Sequence, residues 1–261
     1  MDFQEKIFQY NKISIKYFQK GAGQVILFLH GGGVRALTCL KILNPLSENY
    51  NVIAPDIPCF GESSVPDEIW GLEEYADFFD KFIDFLGIND IIVIGHSLGG
   101  GIALNLATKN RSVQKLILVD SAGMPPEYSE NEFKYRLYFK KTIFTLLHYG
   151  DIPMLYLVIK DYCLNRIKRF RKWPRIVKIM KKCLLSNFNK FSEIKVQTLV
   201  LWGKQDELFP SSFAEIFHKE IYKSDLLVIE GNHDWILFRH KYFIEIIDNW
   251  IKNQKEFAAK E

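Results

Sequence analysis

Three side chains have the types and the chain order that nucleophilic acyl chemistry requires: Ser97, Asp206 and His233. Ser97 lies in Gly95-His96-Ser97-Leu98-Gly99, directly after the apolar run Ile91-Ile92-Val93-Ile94 and directly before the small-residue stretch Gly99-Gly100-Gly101-Ile102-Ala103. A strand, a sharp turn and a helix in this order form the setting of a nucleophile elbow. The helix N-terminus beneath the serine offers unpaired amides and positive partial charge to a developing oxyanion. A serine hydroxyl is a weak nucleophile until a base takes its proton. Of the six histidines, His30 and His96 sit inside turn motifs, His148 lies in a basic stretch, and His218 and His240 fall on helical patterns. His233, in the loop after the last apolar run, is the one expected over the sheet edge. The carboxylate that orients it should precede it in the chain. Asp206, in Trp202-Gly203-Lys204-Gln205-Asp206, fits that place, with Glu207 and Asp120 as rivals. Asp234, beside the base, reads as a surface or capping residue.

An oxyanion needs two N–H donors. Leu98, the residue after the nucleophile, supplies one by position. His30-Gly31-Gly32-Gly33, just after the run Val25 to Leu29, is the expected source of the other, from Gly32 or alternatively Gly33. Losing one such donor costs about 3–4 kcal/mol of transition-state stabilisation. A phosphate-binding loop is the competing reading of the glycines, but no GK[ST] or GxGxxG pattern follows them.

These groups need a scaffold. The weak alternation in 7–10 and 13–18 around Asn11-Lys12 predicts a β-hairpin. Near-continuous apolar runs begin at Val25, Val52, Ile91, Leu116, Thr198 and Leu226 and read as parallel strands covered on both faces. Between them, helical periodicity spans 36–46, 72–86, 98–108, 211–222 and 240–251, with Gly87 placed to end the second helix. Alternation of this kind predicts a doubly wound α/β fold. It lapses between 124 and 192, where the chain is helical, aromatic and basic, and it resumes at Val196.

Charge is split the same way. Residues 124–192 hold 15 Lys and Arg against 5 Asp and Glu, so this stretch carries +10 in a chain whose net charge is +3. Within 161–182 nine cations stand against Asp161 alone, interleaved with Tyr162, Leu164, Ile167, Phe170, Trp173 and Val177. Such a segment can cover a pocket with its apolar face or rest on an anionic lipid surface. Nucleic-acid binding has no motif behind it. Cys39, Cys59, Cys163 and Cys183 show neither metal-like nor disulfide-framework spacing and read as separate buried thiols. The first residues lack a signal-peptide pattern, and the longest apolar stretch, 143–159, is broken by His148, Gly150, Asp151 and Pro153, so a soluble cytoplasmic protein is expected. The tail 257–261 supports no reading.

Taken together, His30-Gly31-Gly32-Gly33, Asp56-Ile57-Pro58-Cys59-Phe60-Gly61-Glu62-Ser63, Gly95-His96-Ser97-Leu98-Gly99, Trp202-Gly203-Lys204-Gln205-Asp206 and Gly231-Asn232-His233 resemble the α/β-hydrolase superfamily, in its branch of lid-bearing serine esterases. The resemblance implies a mostly parallel doubly wound sheet, a core formed by 1–123 and 193–261, and a helical cap, 124–192, inserted between the sixth and seventh core strands. It also implies a pocket bordered by Gly33, Cys59, Phe60, His96 and Trp235. The family's loop after Asp56 reads D-x-x-G-x-G-x-S, and Cys59 stands where the first glycine is expected. A serine nucleophile argues against epoxide hydrolase and haloalkane dehalogenase chemistry. The expected activity is hydrolysis of small to medium carboxylic esters without metal or organic cofactor. Carbon–carbon bond hydrolysis, monoacylglycerol lipolysis, aminopeptidase action and a ligand-binding role are the alternatives.

Overall fold

The computed structural model describes residues 2–252; the tail 257–261 lies outside them. Eight strands make one sheet in the order β1-β2-β4-β3-β5-β6-β7-β8. They are β1 Gln4–Tyr10, β2 Ile13–Lys20, β3 Val25–Leu29, β4 Asn51–Pro55, β5 Ile91–His96, β6 Val113–Val119, β7 Gln197–Gly203 and β8 Ser224–Ile229. The β1–β2 hairpin turns at Asn11, whose φ of 54° an asparagine tolerates, and β2 lies antiparallel to β4. From β4 to β8 all pairings are parallel.

From β3 to β7 the apolar runs are continuous because both faces of the sheet are covered; on β8, at the edge, Leu226 and Leu227 are half-buried and Val228 is exposed. On β5, Val93 enters the layer with α2 (Leu72–Leu86), α3 (Leu98–Lys109) and α8 (Ser212–Glu220), while Ile92 and Ile94 enter the opposite layer. That second layer holds α1 (Leu40–Asn49), α9 (Trp235–Phe238) and α10 (His240–Lys252). Gly87 ends α2 at φ 64°, as its position suggested. The helix expected over 36–46 is instead a 3-10 turn, Ala36–Cys39, followed by α1. The turn is fixed from outside the segment, where the Ala36 N–H donates to Asp56 Oδ1 at 2.9 Å.

Between β6 and β7 run α4 (Glu130–Tyr135), a π-helical turn (Arg136–Lys140), α5 (Lys141–His148), α6 (Ile152–Lys168) and α7 (Trp173–Leu184). This segment lies across the loops at the C-terminal ends of β3, β4 and β8. Asn165 Nδ2 donates to the Cys59 carbonyl, and Arg169 donates to the carbonyls of Gly61 and Ser63. Tyr149 Oη accepts the Asn232 N–H, and Asn232 Nδ2 donates to Thr145 Oγ1. Part of the charge split is spent in this seam: Arg175 pairs with Asp67, Lys182 with Glu74, Lys190 with Glu73 and Lys141 with Asp234. All four cysteines are free, and Cys163, expected to be buried, is exposed on α6.

Candidate active site

Ser97 joins the end of β5 to the start of α3 with φ 54° and ψ −117°. A non-glycine residue holds such a conformation only where its surroundings over-determine it. Here the Ser97 N–H donates to the Val119 carbonyl, and the Ser97 carbonyl accepts from Gly100, Gly101 and Ala122. The flanking glycines are steric necessities. A Cβ on Gly95 would lie 2.4 Å from the Gly99 carbonyl oxygen, and one on Gly99 would lie 2.1 Å from the Leu29 carbonyl oxygen.

The candidate base, His233, lies in the loop after β8. His233 Nε2 is 2.9 Å from Ser97 Oγ, and Nδ1 is 2.8 Å from Asp206 Oδ2. The carboxylate therefore takes the Nδ1–H, which leaves Nε2 bare to accept the serine proton. Asp206 is itself held, since its Oδ1 accepts the N–H groups of Leu208 and Phe209 at 2.7 and 3.0 Å. Ser97, His233 and Asp206 are all buried, with His233 only 2% exposed. In this screened setting each charge interaction is stronger than in water.

The two rival carboxylates do other work. Asp120 Oδ1 accepts the Gly203 N–H and Oδ2 accepts the Trp235 indole N–H, which ties the end of β6 to β7 and α9. Burial, then the neighbouring Asp206 carboxylate, pushes the Asp120 carboxyl well above the usual range. Glu207 Oε2 accepts the His233 backbone N–H at 3.3 Å, and burial raises its carboxyl as well. Its Oε1 is buried with no hydrogen-bond partner among the described residues.

His96 also departs from a simple lining role. Its Nε2 donates to the His233 carbonyl at 2.9 Å, so it braces the loop of the base. Burial, then His233, lowers its pKa to about 4, which keeps the ring neutral near pH 7. Asp234, read from sequence as a surface or capping residue, is buried and paired with Lys141 of α5 at 2.7 Å. Burial works against its charge, but Lys141 and then the two imidazoles prevail and hold it at about 2. Sequence spacing contains no signal for that pair, because its halves are set by separate elements.

Of the residues expected to border a pocket, Phe60 does flank the glycine loop: its Cζ would lie 3.7 Å from a Cβ on Gly32. Gly33 takes φ +91° and faces Tyr162 of α6. Gly31 is the glycine nearest the nucleophile, since a Cβ there would stand 3.4 Å from Ser97 Cβ. Gly32 is overhung by Met180 of α7, whose Cε would be 2.4 Å from such a Cβ. Trp235 is fully buried in the layer with Phe243 and α10, and its indole N–H is committed to Asp120. Cys59 is the buried thiol its spacing suggested, fully buried with Sγ 3.5 Å from Tyr75 Oη; it stands at φ 85°, and burial pushes its thiol up to about 11. Leu98, fully buried, opens α3; its N–H and that of Gly99 precede the first amides bonded to the Ser97 carbonyl, those of Gly100 and Gly101.

One cluster of metal-type ligands occurs among the described residues: His96, His233 and Asp234, with ligand atoms within 4.8 Å of one another. Both His233 nitrogens, His96 Nε2 and the Asp234 carboxylate already have the partners given above, so the cluster is better matched to the triad than to an ion.

The fold is that of an α/β hydrolase, and comparison with known proteins agrees. The family model for the α/β hydrolase fold matches residues 24–151. The 2-hydroxy-6-oxononadienedioate/2-hydroxy-6-oxononatrienedioate hydrolase of Comamonas testosteroni is 31% identical over 214 residues, covering 73% of this chain and 74% of that protein. The dihydrolipoyllysine-residue acetyltransferase component of the acetoin cleaving system of Cupriavidus necator is 29% identical over 219 residues; the match covers 78% of this chain but only 58% of that longer protein. Among solved structures, the 2-hydroxy-6-oxo-6-phenylhexa-2,4-dienoate hydrolase of a Rhodococcus strain superimposes with a TM-score of 0.81 at 20% identity, covering 96% of this chain and 99% of that one. The chain belongs to the α/β-hydrolase family.

Proposed function

We propose that the protein hydrolyses carboxylic esters of small to medium acyl chain through an acyl-enzyme on Ser97. The observation that carries this reading is the unbroken contact chain from Asp206 through His233 to Ser97 at the N-terminus of α3. Ser97 Oγ attacks the ester carbonyl carbon and passes its proton to His233 Nε2. Asp206, on the Nδ1–H, steadies the imidazolium. The N–H groups of Leu98 and Gly32, or Gly33 in its place, take the oxyanion. The tetrahedral adduct collapses by breaking the carbonyl carbon–alkoxy oxygen bond, and Nε2–H protonates the departing alcohol. A water, deprotonated by His233, then attacks the acyl carbon, and Ser97 leaves with the returned proton.

An ester favours this site because its leaving group needs only the proton that His233 has just received. In this reading 124–192 acts as a cap over a core of 1–123 and 193–261, and Met180 must swing away from Gly32 before a carbonyl can reach the glycine loop. No helix among the described residues is long and apolar enough to cross a membrane. The free cysteines are compatible with the reducing cytoplasm.

Carbon–carbon bond hydrolysis is the second reading, favoured by the activity named for the Comamonas relative. It needs an additional proton source for the departing carbon. Turnover of p-nitrophenyl esters of rising chain length, beside a 2-hydroxy-6-oxo-dienoate, separates the two. Ester turnover by wild type and its loss in Ser97→Ala supports the first reading. Turnover of the dienoate alone supports the second, and wild type no faster than Ser97→Ala on either substrate overturns both.

A further inference from the structure

The outward face of the inserted helices combines two properties that the triad does not use. On α6, Ile152, Tyr156, Ile159, Cys163 and Ile167 recur at i, i+4, i+7, i+11 and i+15, which places them in one wedge of the helix surface. All five are exposed, Ile167 by 68%. Leu147 on α5 is 76% exposed and Phe170, just after α6, is 67% exposed, so apolar exposure continues in the chain on either side of α6.

Cations border it. By helical periodicity Arg166 lies on one side of the wedge and Lys160 on the other. The Lys160 ammonium is 5.9 Å from the Tyr156 ring and the Arg171 guanidinium is 5.7 Å from the Phe170 ring, so charge and apolar surface are contiguous. Arg171, Lys172 and Lys178 continue the basic surface around a shallow groove beside Pro174. Among the described residues none of Lys160, Arg166, Arg171, Lys172 and Lys178 forms an ion pair. The cations on the core-facing side of the same segment, Lys141, Arg175, Lys182 and Lys190, do. The basic excess is thus divided: one part holds the segment to the acidic core, and the other has no ion-pair partner among the described residues.

We propose that this face docks on an anionic lipid surface, with the α6 strip in the interfacial region and the bordering cations among the headgroups. An exposed aliphatic strip flanked by lysine and arginine is the arrangement that lies in a membrane interface. Charge argues against a second copy of the chain as occupant, because a twofold interface brings the same patch onto itself and would set these cations against one another. A soluble polyanion would neutralise the cations and leave the isoleucines in water. The docking surface is independent of the reaction assigned to Ser97.

Co-sedimentation with vesicles of phosphatidylcholine, pure or mixed with phosphatidylserine, tests the proposal, with the mass in solution measured alongside. Wild type should bind the mixed vesicles, bind the pure ones far less, and be released by salt. Lys160→Gln, Arg166→Gln and Arg171→Gln should each weaken binding about fivefold. Ile159→Asp with Ile167→Asp should abolish it, while the unfolding temperature stays near that of wild type because both side chains are exposed. The proposal is overturned by absence of binding to mixed vesicles, by equal binding to both vesicle types, by charge variants that bind as wild type does, or by a dimer that Ile159→Asp dissociates.

Discussion

Replacing Asp206 with Asn tests the electrostatic logic of the site most sharply, because the structure dictates how the amide must sit. Asp206 Oδ1 accepts two backbone N–H groups, from Leu208 and Phe209, at 2.7 and 3.0 Å. In the variant only the amide oxygen can serve those donors, so the NH2 group is turned toward His233 Nδ1. The imidazole must then present a bare Nδ1 and carry its proton on Nε2, facing Ser97 Oγ, where it can no longer act as a base. The expected loss in kcat is about 10⁴-fold, equivalent to roughly 5.5 kcal/mol of transition-state stabilisation. The unfolding temperature should change little, since the variant keeps both backbone contacts. Asp120→Asn is the control. Its carboxyl is already pushed well above the usual range by burial and then by Asp206, so an uncharged amide matches it in charge though not in acceptors. That variant should stay within about tenfold of wild type in kcat, since no hydrogen bond joins Asp120 to Ser97 or the imidazole, while the Gly203 or Trp235 N–H left facing the amide NH2 should cost about 1–3 kcal/mol of stability. Initial rates on p-nitrophenyl butyrate measure both. The reasoning fails if Asp206→Asn costs less than tenfold, or if Asp120→Asn is as damaging.

Two further outcomes follow from the same contacts. Asp234 is depressed to about 2 in the folded chain, against about 3.9 for an unperturbed aspartate. Its stabilising contribution is therefore complete above the unfolded pKa and disappears as pH falls through the folded one. Asp234→Asn should lower stability by about 2 kcal/mol near neutrality, with the gap to wild type closing between about pH 4 and pH 2 in urea titrations. An equal gap at every pH would show that the Lys141 pairing is not the source. Met180→Ala, which removes the side chain over Gly32, should favour bulkier acyl esters in kcat/KM at a cost of about 1–2 kcal/mol in unfolding free energy. An unchanged chain-length profile would mean that Met180 does not gate the glycine loop.

The sequence carries the elements of the candidate site with little ambiguity because their determinants are local. A glycine at 95 and another at 99 are needed wherever a strand must turn into a helix through a strained serine. A strand buried on both faces cannot be written without a run such as Ile91 to Ile94. The chain order of Ser97, Asp206 and His233 likewise survives in one dimension. Boundaries were less legible where a distant group sets them, as at Ala36, where Asp56 fixes a 3-10 turn ahead of α1.

What the tertiary structure alone decided is which polar groups meet. Asp120, Asp206 and Glu207 were interchangeable candidates by residue type; the fold gave one to the imidazole, one to the end of β7 and one to the backbone of the base. It tied the Trp235 indole to Asp120, set Cys59 in the core against Tyr75, and paired the buried Asp234 with the half-buried Lys141. It also divided the basic excess of 124–192, which composition shows only as a total, into cations that grip the core and cations that face outward. The physical reason is the same throughout: backbone propensity and burial pattern act over a few residues, whereas hydrogen bonds and ion pairs between loops depend on how whole elements are stacked.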